Sequence, residues 1–225
     1  MNFSDHVLEF LSSLDFSVKL PAGISVMNPY KDIATRNTCT SFYQKFYADT
    51  KKRRMIIGIN PGRHGAGLTG IPFTDPIRLQ QECGIQNDWD KKQELSSLYI
   101  YDMIKEFGTT KAFYQQFYIG SVSPLGFTRS NKNLNYYDDK LLEQRIRPFV
   151  ISCFKKQIAF GLKTDLAFCL GDGKNYKFLL ALNTDYGFFD KIIPLPHPRY
   201  IMQYKLKDKK IYIESYLTQL RNVFG

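Results

Sequence analysis

Two short segments hold the residues best suited to chemistry. The first, Met55 to Phe73 (MIIGINPGRHGAGLTGIPF), passes from an apolar run into Asn60-Pro61 and carries five glycines and two prolines. Glycine lets a backbone turn at positive φ and approach a ligand without a Cβ, whereas proline fixes φ. The loop is therefore shaped, holding an amide (Asn60), an aromatic ring (Phe73) and bare backbone around one small space. The second segment centres on His197, set between Pro196 and Pro198 directly after another apolar run. An asparagine before proline initiates a turn, but at a strand end its amide can also position a water. A histidine placed like His197 either bonds nearby backbone or donates to an anion developing in front of it. Ser121 or Ser123 offers a hydroxyl for a serine–histidine–carboxylate arrangement, yet no nucleophile elbow accompanies them.

Gly65-Ala66-Gly67-Leu68-Thr69-Gly70 matches the dinucleotide fingerprint GxGxxG. That fingerprint opens a helix immediately after its strand. Here Asn60 to His64 intervene, and Pro72 and Pro76 follow, so nucleotide binding is set aside. No glycine precedes Lys-Ser or Lys-Thr, which removes a Walker-type phosphate loop as well.

The elements that must position these residues follow from hydrophobic period and punctuation. Ser4 to Phe16 places Val7, Leu8, Leu11 and Leu14 on one helical face with Ser4 as N-cap, and a second amphipathic stretch runs from Asp32 to Tyr47. The run Lys51-Lys52-Arg53-Arg54 reads as a solvated connection into a buried strand, Met55 to Ile59. Helix is expected over Gln93 to Phe107, strand over Phe117 to Val122, and helix over Asp138 to Leu162, broken or capped near Pro148. Strand Leu166 to Leu170, helix Asn175 to Leu182, strand Lys191 to Leu195 and helix Lys209 to Phe224 complete the reading. Strands alternating with helices make an α/β fold with a mostly parallel sheet covered on both faces. Ligands of such sheets lie beyond the carboxyl ends of the strands. The loops after Ile59, Val122 and Leu195 all sit there. With no repeat or linker, the chain is expected to form one domain over 1–225, its first fifty residues helical.

Composition narrows the partners. A formal net charge of +10 and a sequence pI near 9.3 point to a polyanion such as nucleic acid. Cys39, Cys83, Cys153 and Cys169 are scattered without a CxxC pair. That spacing argues against an iron–sulfur cluster, a zinc ribbon or a disulfide framework, and Cys153 and Cys169 read as buried thiols. No metal or organic cofactor is expected. Neither a membrane span nor a signal peptide is evident, so a soluble intracellular (cytoplasmic) monomer is expected.

Taken together, the two segments resemble a known family. GINPGRHGAGLTGIPF resembles the first motif of the single-strand-selective monofunctional uracil-DNA glycosylases, and HPRYIMQYK resembles their second, His-Pro motif. Between them only the strand end before Ser123-Pro124-Leu125 fits the family. The resemblance implies a three-layer α/β/α sandwich around a central four-stranded parallel sheet. It further implies a hydrolase of base-excision repair that flips a damaged base out of DNA and cleaves its N-glycosidic bond. On that footing Asn60 would hold the attacking water and His197 would donate to uracil O2. The backbone at Ile59 and Gly62 would line the base site, Phe73 would stack on the base, and Ser121 would face its edge. Arg199, Tyr200, Ile201 and Met202 would fill or flank the gap in the DNA, with Ile201 and Met202 as apolar wedges, and Lys205, Lys207, Lys209 and Lys210 would neutralise phosphate.

The chain departs from the family at three places. The second motif is compressed to Pro198-Arg199, Arg63-His64 replaces a Pro-Phe pair, and Ser121 stands where the family carries an asparagine. A hydroxyl is smaller and rotates, whereas an amide donates and accepts with fixed geometry. A pocket admitting other deaminated or oxidised bases, xanthine and hypoxanthine among them, is one alternative. A non-catalytic nucleic-acid-binding protein on the same scaffold is the other.

Overall fold

A computed structural model describes residues 1–222. Helix α1 (Phe3–Ser12) is capped not by Ser4 but by Asn2, whose side chain accepts from the Asp5 N–H while Asp5 returns a bond to the Asn2 N–H. Ser4 is buried inside the first turn. Strand β1 (Ile24–Met27) and helix α2 (Ile33–Tyr47) follow, the latter matching the expected amphipathic stretch and capped by the Asp32 side chain, which accepts the Thr35 N–H. Next comes β2 (Arg54–Gly58), the strand that leads into the glycine loop.

The approach to β2 corrects the reading of the basic run. Arg53 is fully buried. Its guanidinium pairs with the Asp49 carboxylate at 2.8 and 2.9 Å, donates to the carbonyls of Tyr114, Lys51 and Phe46, and lies 4.8 Å from the ring centroids of Phe3 and Tyr47. A charge survives burial when paired and fully hydrogen-bonded, and here one arginine ties α1, α2 and the sheet together.

After the short helices α3 (Ala66–Thr69) and α4 (Pro76–Gln81) come α5 (Leu95–Phe107), α6 (Thr110–Gln116) and β3 (Phe117–Ser121). A hairpin, β4 (Gly126–Arg129) and β5 (Lys132–Leu134), turns at Ser130 and Asn131, both at positive φ (48° and 57°). Two left-handed residues are what a two-residue type I′ turn requires. The hairpin pairs with β1 to form an antiparallel sheet in the order β1-β4-β5, which had no counterpart in the sequence reading.

Helix α7 (Lys140–Ile158) runs unbroken through Pro148, contrary to expectation. Pro148 and Gln144 are both exposed, so the Gln144 carbonyl left without its helical partner faces water. Then follow β6 (Ala167–Leu170), α8 (Lys174–Tyr186), β7 (Ile192–Leu195), α9 (Pro198–Tyr204) and α10 (Lys209–Arg221). The Phe224 end expected for the last helix lies outside the described residues.

The main sheet is all parallel, in the order β3-β2-β6-β7. Nearly every residue of three of its four strands, β2, β3 and β6, is buried whichever way it points, as happens when helices cover both faces. This is the expected α/β/α sandwich. All four cysteines are free and buried. Among the described residues no helix is long and apolar enough to cross a membrane, and no cluster of His, Cys, Asp and Glu is arranged to hold a metal.

Candidate active site

The carboxyl ends of the four parallel strands open into one cavity of about 700 Å³. Ile59 and Asn60 reach it from β2, Ser121 from β3, Gly171 to Asn175 from the β6 end, and His197 from β7. The far wall comes from the residues after the hairpin, Asn135 and Tyr137, together with Asn133 of β5. Phe73 and Gly62 of the glycine loop complete the lining, so the residues singled out from two distant segments do share one space.

Asn60 is clamped rather than free. Its Nδ2 donates to the Leu134 carbonyl at 3.2 Å, and its Oδ1 accepts the Tyr136 N–H at 3.0 Å. A carbonyl oxygen carries two lone pairs, so Oδ1 retains one for a water while the amide is held in a single orientation. Both partners belong to the hairpin and the turn after it.

Phe73 takes φ of 53°, a left-handed backbone that a bulky residue rarely adopts. Neighbouring bonds hold it there. The Thr69 hydroxyl donates to the Thr74 carbonyl at 2.6 Å, and the Thr74 hydroxyl meets the Tyr101 hydroxyl at 2.9 Å in the core. The ring rests on Gly58, where an added Cβ would come within 2.7 Å of Phe73 Cε2. Gly58 is register partner to Ser121, which is 8% exposed beside it. Ring and hydroxyl thus share the floor.

His197 lies two residues beyond the end of β7 and is the N-cap of α9, with Pro198 as the first helical residue. Its Nδ1 accepts the Arg199 N–H at 3.1 Å. The neutral ring must then carry its proton on Nε2, the nitrogen left free to donate. Burial lowers its pKa to about 4, with the Arg199 charge adding to the effect, so the imidazole is neutral at pH 7. The Phe73 and His197 ring centroids lie 6.0 Å apart. The Tyr216 hydroxyl donates to the Pro196 carbonyl and anchors the turn from behind.

The serine-nucleophile reading loses both its parts. Ser123 is fully buried and donates to the Leu125 carbonyl at 2.8 Å, and Nδ1 of His197 holds a backbone amide where a carboxylate would be needed. The GxGxxG stretch forms only α3, four residues ended by Gly70 at φ 72°, and no long helix for a pyrophosphate.

On α9 the placement differs from expectation. Ile201 is 0% and Met202 8% exposed, packed into the core, so neither stands as a wedge. The side chains that project are Arg199, Tyr200, Gln203 and Tyr204, and the Tyr200 and Tyr204 rings lie 5.7 Å apart at the cavity mouth. Lys205 is half-buried, Lys207 and Lys210 are exposed, and Lys209 is paired with Asp102. Sequence reasoning missed Tyr204, Asn133 and Glu94, all of which line the cavity.

A parallel sheet whose strand ends bring a clamped amide, a stacked ring and a neutral imidazole donor to one cavity is the architecture of an N-glycosyl hydrolase. The family model of the Uracil DNA glycosylase superfamily matches residues 44–221, and the chain belongs to that superfamily. It is SMUG-like. The crystal structure of wild-type SMUG2 from Pedobacter heparinus superimposes with a TM-score of 0.97 at 48% sequence identity, covering 99% of this chain and 98% of that one. No curated protein matches the chain. The chain is a DNA glycosylase, acting on DNA in base-excision repair, and the non-catalytic alternative is set aside.

Proposed function

We propose that the enzyme is monofunctional and removes uracil from DNA by direct attack of water on C1′. The observation that carries this reading is the shared cavity of Asn60, Phe73 and His197, with Asn60 and His197 fixed by hydrogen bonds and Phe73 seated on Gly58. Extruding the nucleotide lays the base on Phe73, with the backbone of Ile59 and Gly62 along its edge. Asn60 Oδ1 accepts from the attacking water and aims it at the sugar. As the C1′–N1 bond breaks, electrons collect on the base, and Nε2–H of His197 donates to O2. A preorganised donor of this kind is worth about 10²–10³ in rate, or roughly 2.7–4 kcal/mol. The product is an abasic site, and since no amine attacks the sugar, strand cleavage is not expected. Arg199, Tyr200 and Lys205 contact the DNA around the extruded nucleotide.

Incubation with a uracil-containing oligonucleotide, followed by hot alkali, tests the assignment. Release that survives in the wild type and is lost in Asn60→Ala and His197→Ala, with DNA binding retained, supports it. No uracil release from single- or double-stranded substrate would sink it. A second reading, release of xanthine or hypoxanthine as well, is favoured by Ser121. A rotating hydroxyl on the floor discriminates base edges less strictly than an amide. The same assay with a substrate panel separates the two.

A further inference from the structure

Glu94 lines the active cavity without a part in the chemistry above. It stands at the N-cap position of α5, yet its side chain makes no capping bond to that helix. Its own N–H is held by the buried Asp75 carboxylate at 2.9 Å, and Asp75 also caps α4 through the Arg78 N–H at 2.8 Å. The Glu94 backbone is thereby anchored between two helices, and the side chain reaches the opposite way.

It ends against the glycine loop. A Cβ built on Gly65 would lie 2.2 Å from Glu94 Oε2, and one on Gly62 would lie 3.2 Å from Oε1. The carboxylate therefore occupies the space that two side chains would otherwise fill, directly along residues 62–65. Burial and the neighbouring Asp75 charge raise its pKa, whereas Arg199 and the N–H groups of His64 and Gly65 favour the ionised form. The carboxylate thus stands against the loop of the first motif, and the Arg199 charge of the second acts on it across the cavity that both residues line.

We propose that Glu94 is a positioning residue of the glycosylase. Its carboxylate braces the loop that follows Asn60 and faces Arg199, so that α5 holds the water-bearing and base-binding segments in register. This rests on the glycosylase reading above. An unbraced loop would let Gly62 and Asn60 drift, and a displacement of about 1 Å in a reacting geometry costs on the order of 10²-fold in rate. Binding should respond in the opposite sense, because removing a carboxylate beside Arg199 relieves repulsion toward phosphate.

The experiment compares wild type, Glu94→Ala and Glu94→Gln, with Asn60→Ala as reference. Single-turnover uracil release and oligonucleotide Kd are measured for each, together with hydrogen exchange at the His64 and Gly65 amides. Glu94→Ala is expected to lower the rate by about 10- to 100-fold with Kd unchanged or tighter, and to speed exchange at both amides. Glu94→Gln, which keeps an oxygen acceptor on the same stem, should restore most of the rate and the protection. An unchanged rate in Glu94→Ala would overturn the proposal, as would unchanged exchange, or rate and binding falling together with no rescue by glutamine. If the wild type releases no base from any substrate, the functional reading fails instead, and the exchange data still judge the brace.

Discussion

His197 offers the most direct test of the site's electrostatics, because its geometry dictates both its charge and its tautomer. Nδ1 is occupied by the Arg199 N–H at 3.1 Å, so adding a proton there would set two donors against each other. Burial also opposes the charge, leaving a pKa of about 4 in place of 6.5. At pH 5 a histidine of ordinary pKa would be about 97% protonated, and one at 4 only about 10%. The His197-dependent part of the rate should therefore stay nearly flat from pH 8 to pH 5. An ordinary histidine active only when neutral would lose about thirtyfold over that range. The assay is single-turnover uracil release from pH 4.5 to 8, taken as the ratio of wild type to His197→Gln so that other titrating groups cancel. The linkage has a definite sign. Above pH 6.5 both folded and unfolded states hold the ring neutral, and no stability depends on it. Below 6.5 the unfolded chain gains a proton the folded one refuses, so stability falls with falling pH until about pH 4. That loss is about 2 kcal/mol by pH 4.5, and it should vanish in His197→Gln when urea unfolding at pH 7 and pH 4.5 is compared. A midpoint near 6.5 in the rate ratio would refute the neutral-donor argument.

Three further outcomes follow from the packing. Gly58→Ala places a methyl 2.7 Å from Cε2 and 3.1 Å from Cζ of Phe73, lifting the ring from the floor; uracil release should drop by about tenfold or more, with far-UV circular dichroism unchanged. Arg53→Met strips a buried guanidinium from Asp49 and three carbonyls, and urea titration should show a loss of about 3–5 kcal/mol. Tyr204, 72% exposed beside Tyr200, should stack on an unpaired base. Tyr204→Ala is expected to weaken oligonucleotide binding by about 1–3 kcal/mol without changing its salt dependence, and Tyr204→Phe should bind as wild type.

What could be read from the sequence was local. Strand β2, the loop after it and the Pro196-His197-Pro198 turn announce themselves in a few consecutive residues, and the alternation of strand and helix implied the parallel sheet. What depends on distant partners was not legible. Lys132-Asn133-Leu134 is too short and polar to read as a strand, and its pairing with β4, and through β4 with β1, spans a hundred residues of chain. Arg53 sits in a basic run that ordinarily faces water; Asp49, Lys51 and Phe46 are its neighbours in the chain, but only the fold adds the Tyr114 carbonyl and the Phe3 ring that enclose it. On α9, apolar Ile201 and Met202 suited a wedge by residue type, but the helix turns them inward against α5 and leaves the tyrosines outside.

The hairpin changes how Asn60 itself must be understood. Beyond Gly58 the ladder to β3 continues with Val122 N–H to the Gly58 carbonyl at 3.0 Å and Ser123 N–H to the Ile59 carbonyl at 3.1 Å. Past Ile59 it is a side chain that carries the connection onward. The Asn60 amide bonds to both the Leu134 carbonyl and the Tyr136 N–H, reproducing the paired donor and acceptor of a strand neighbour. One amide thus joins the parallel sheet to the antiparallel one and presents its remaining lone pair to the cavity. An aspartate could not take its place, since its acceptor oxygen would stand 3.2 Å from the Leu134 carbonyl, where the amide now donates. The use of an asparagine at this strand end therefore has a structural cause as well as a chemical one. Loss of base release in Asn60→Ala must accordingly be set beside its unfolding midpoint, because the same substitution removes the water's acceptor and the rivet between the sheets.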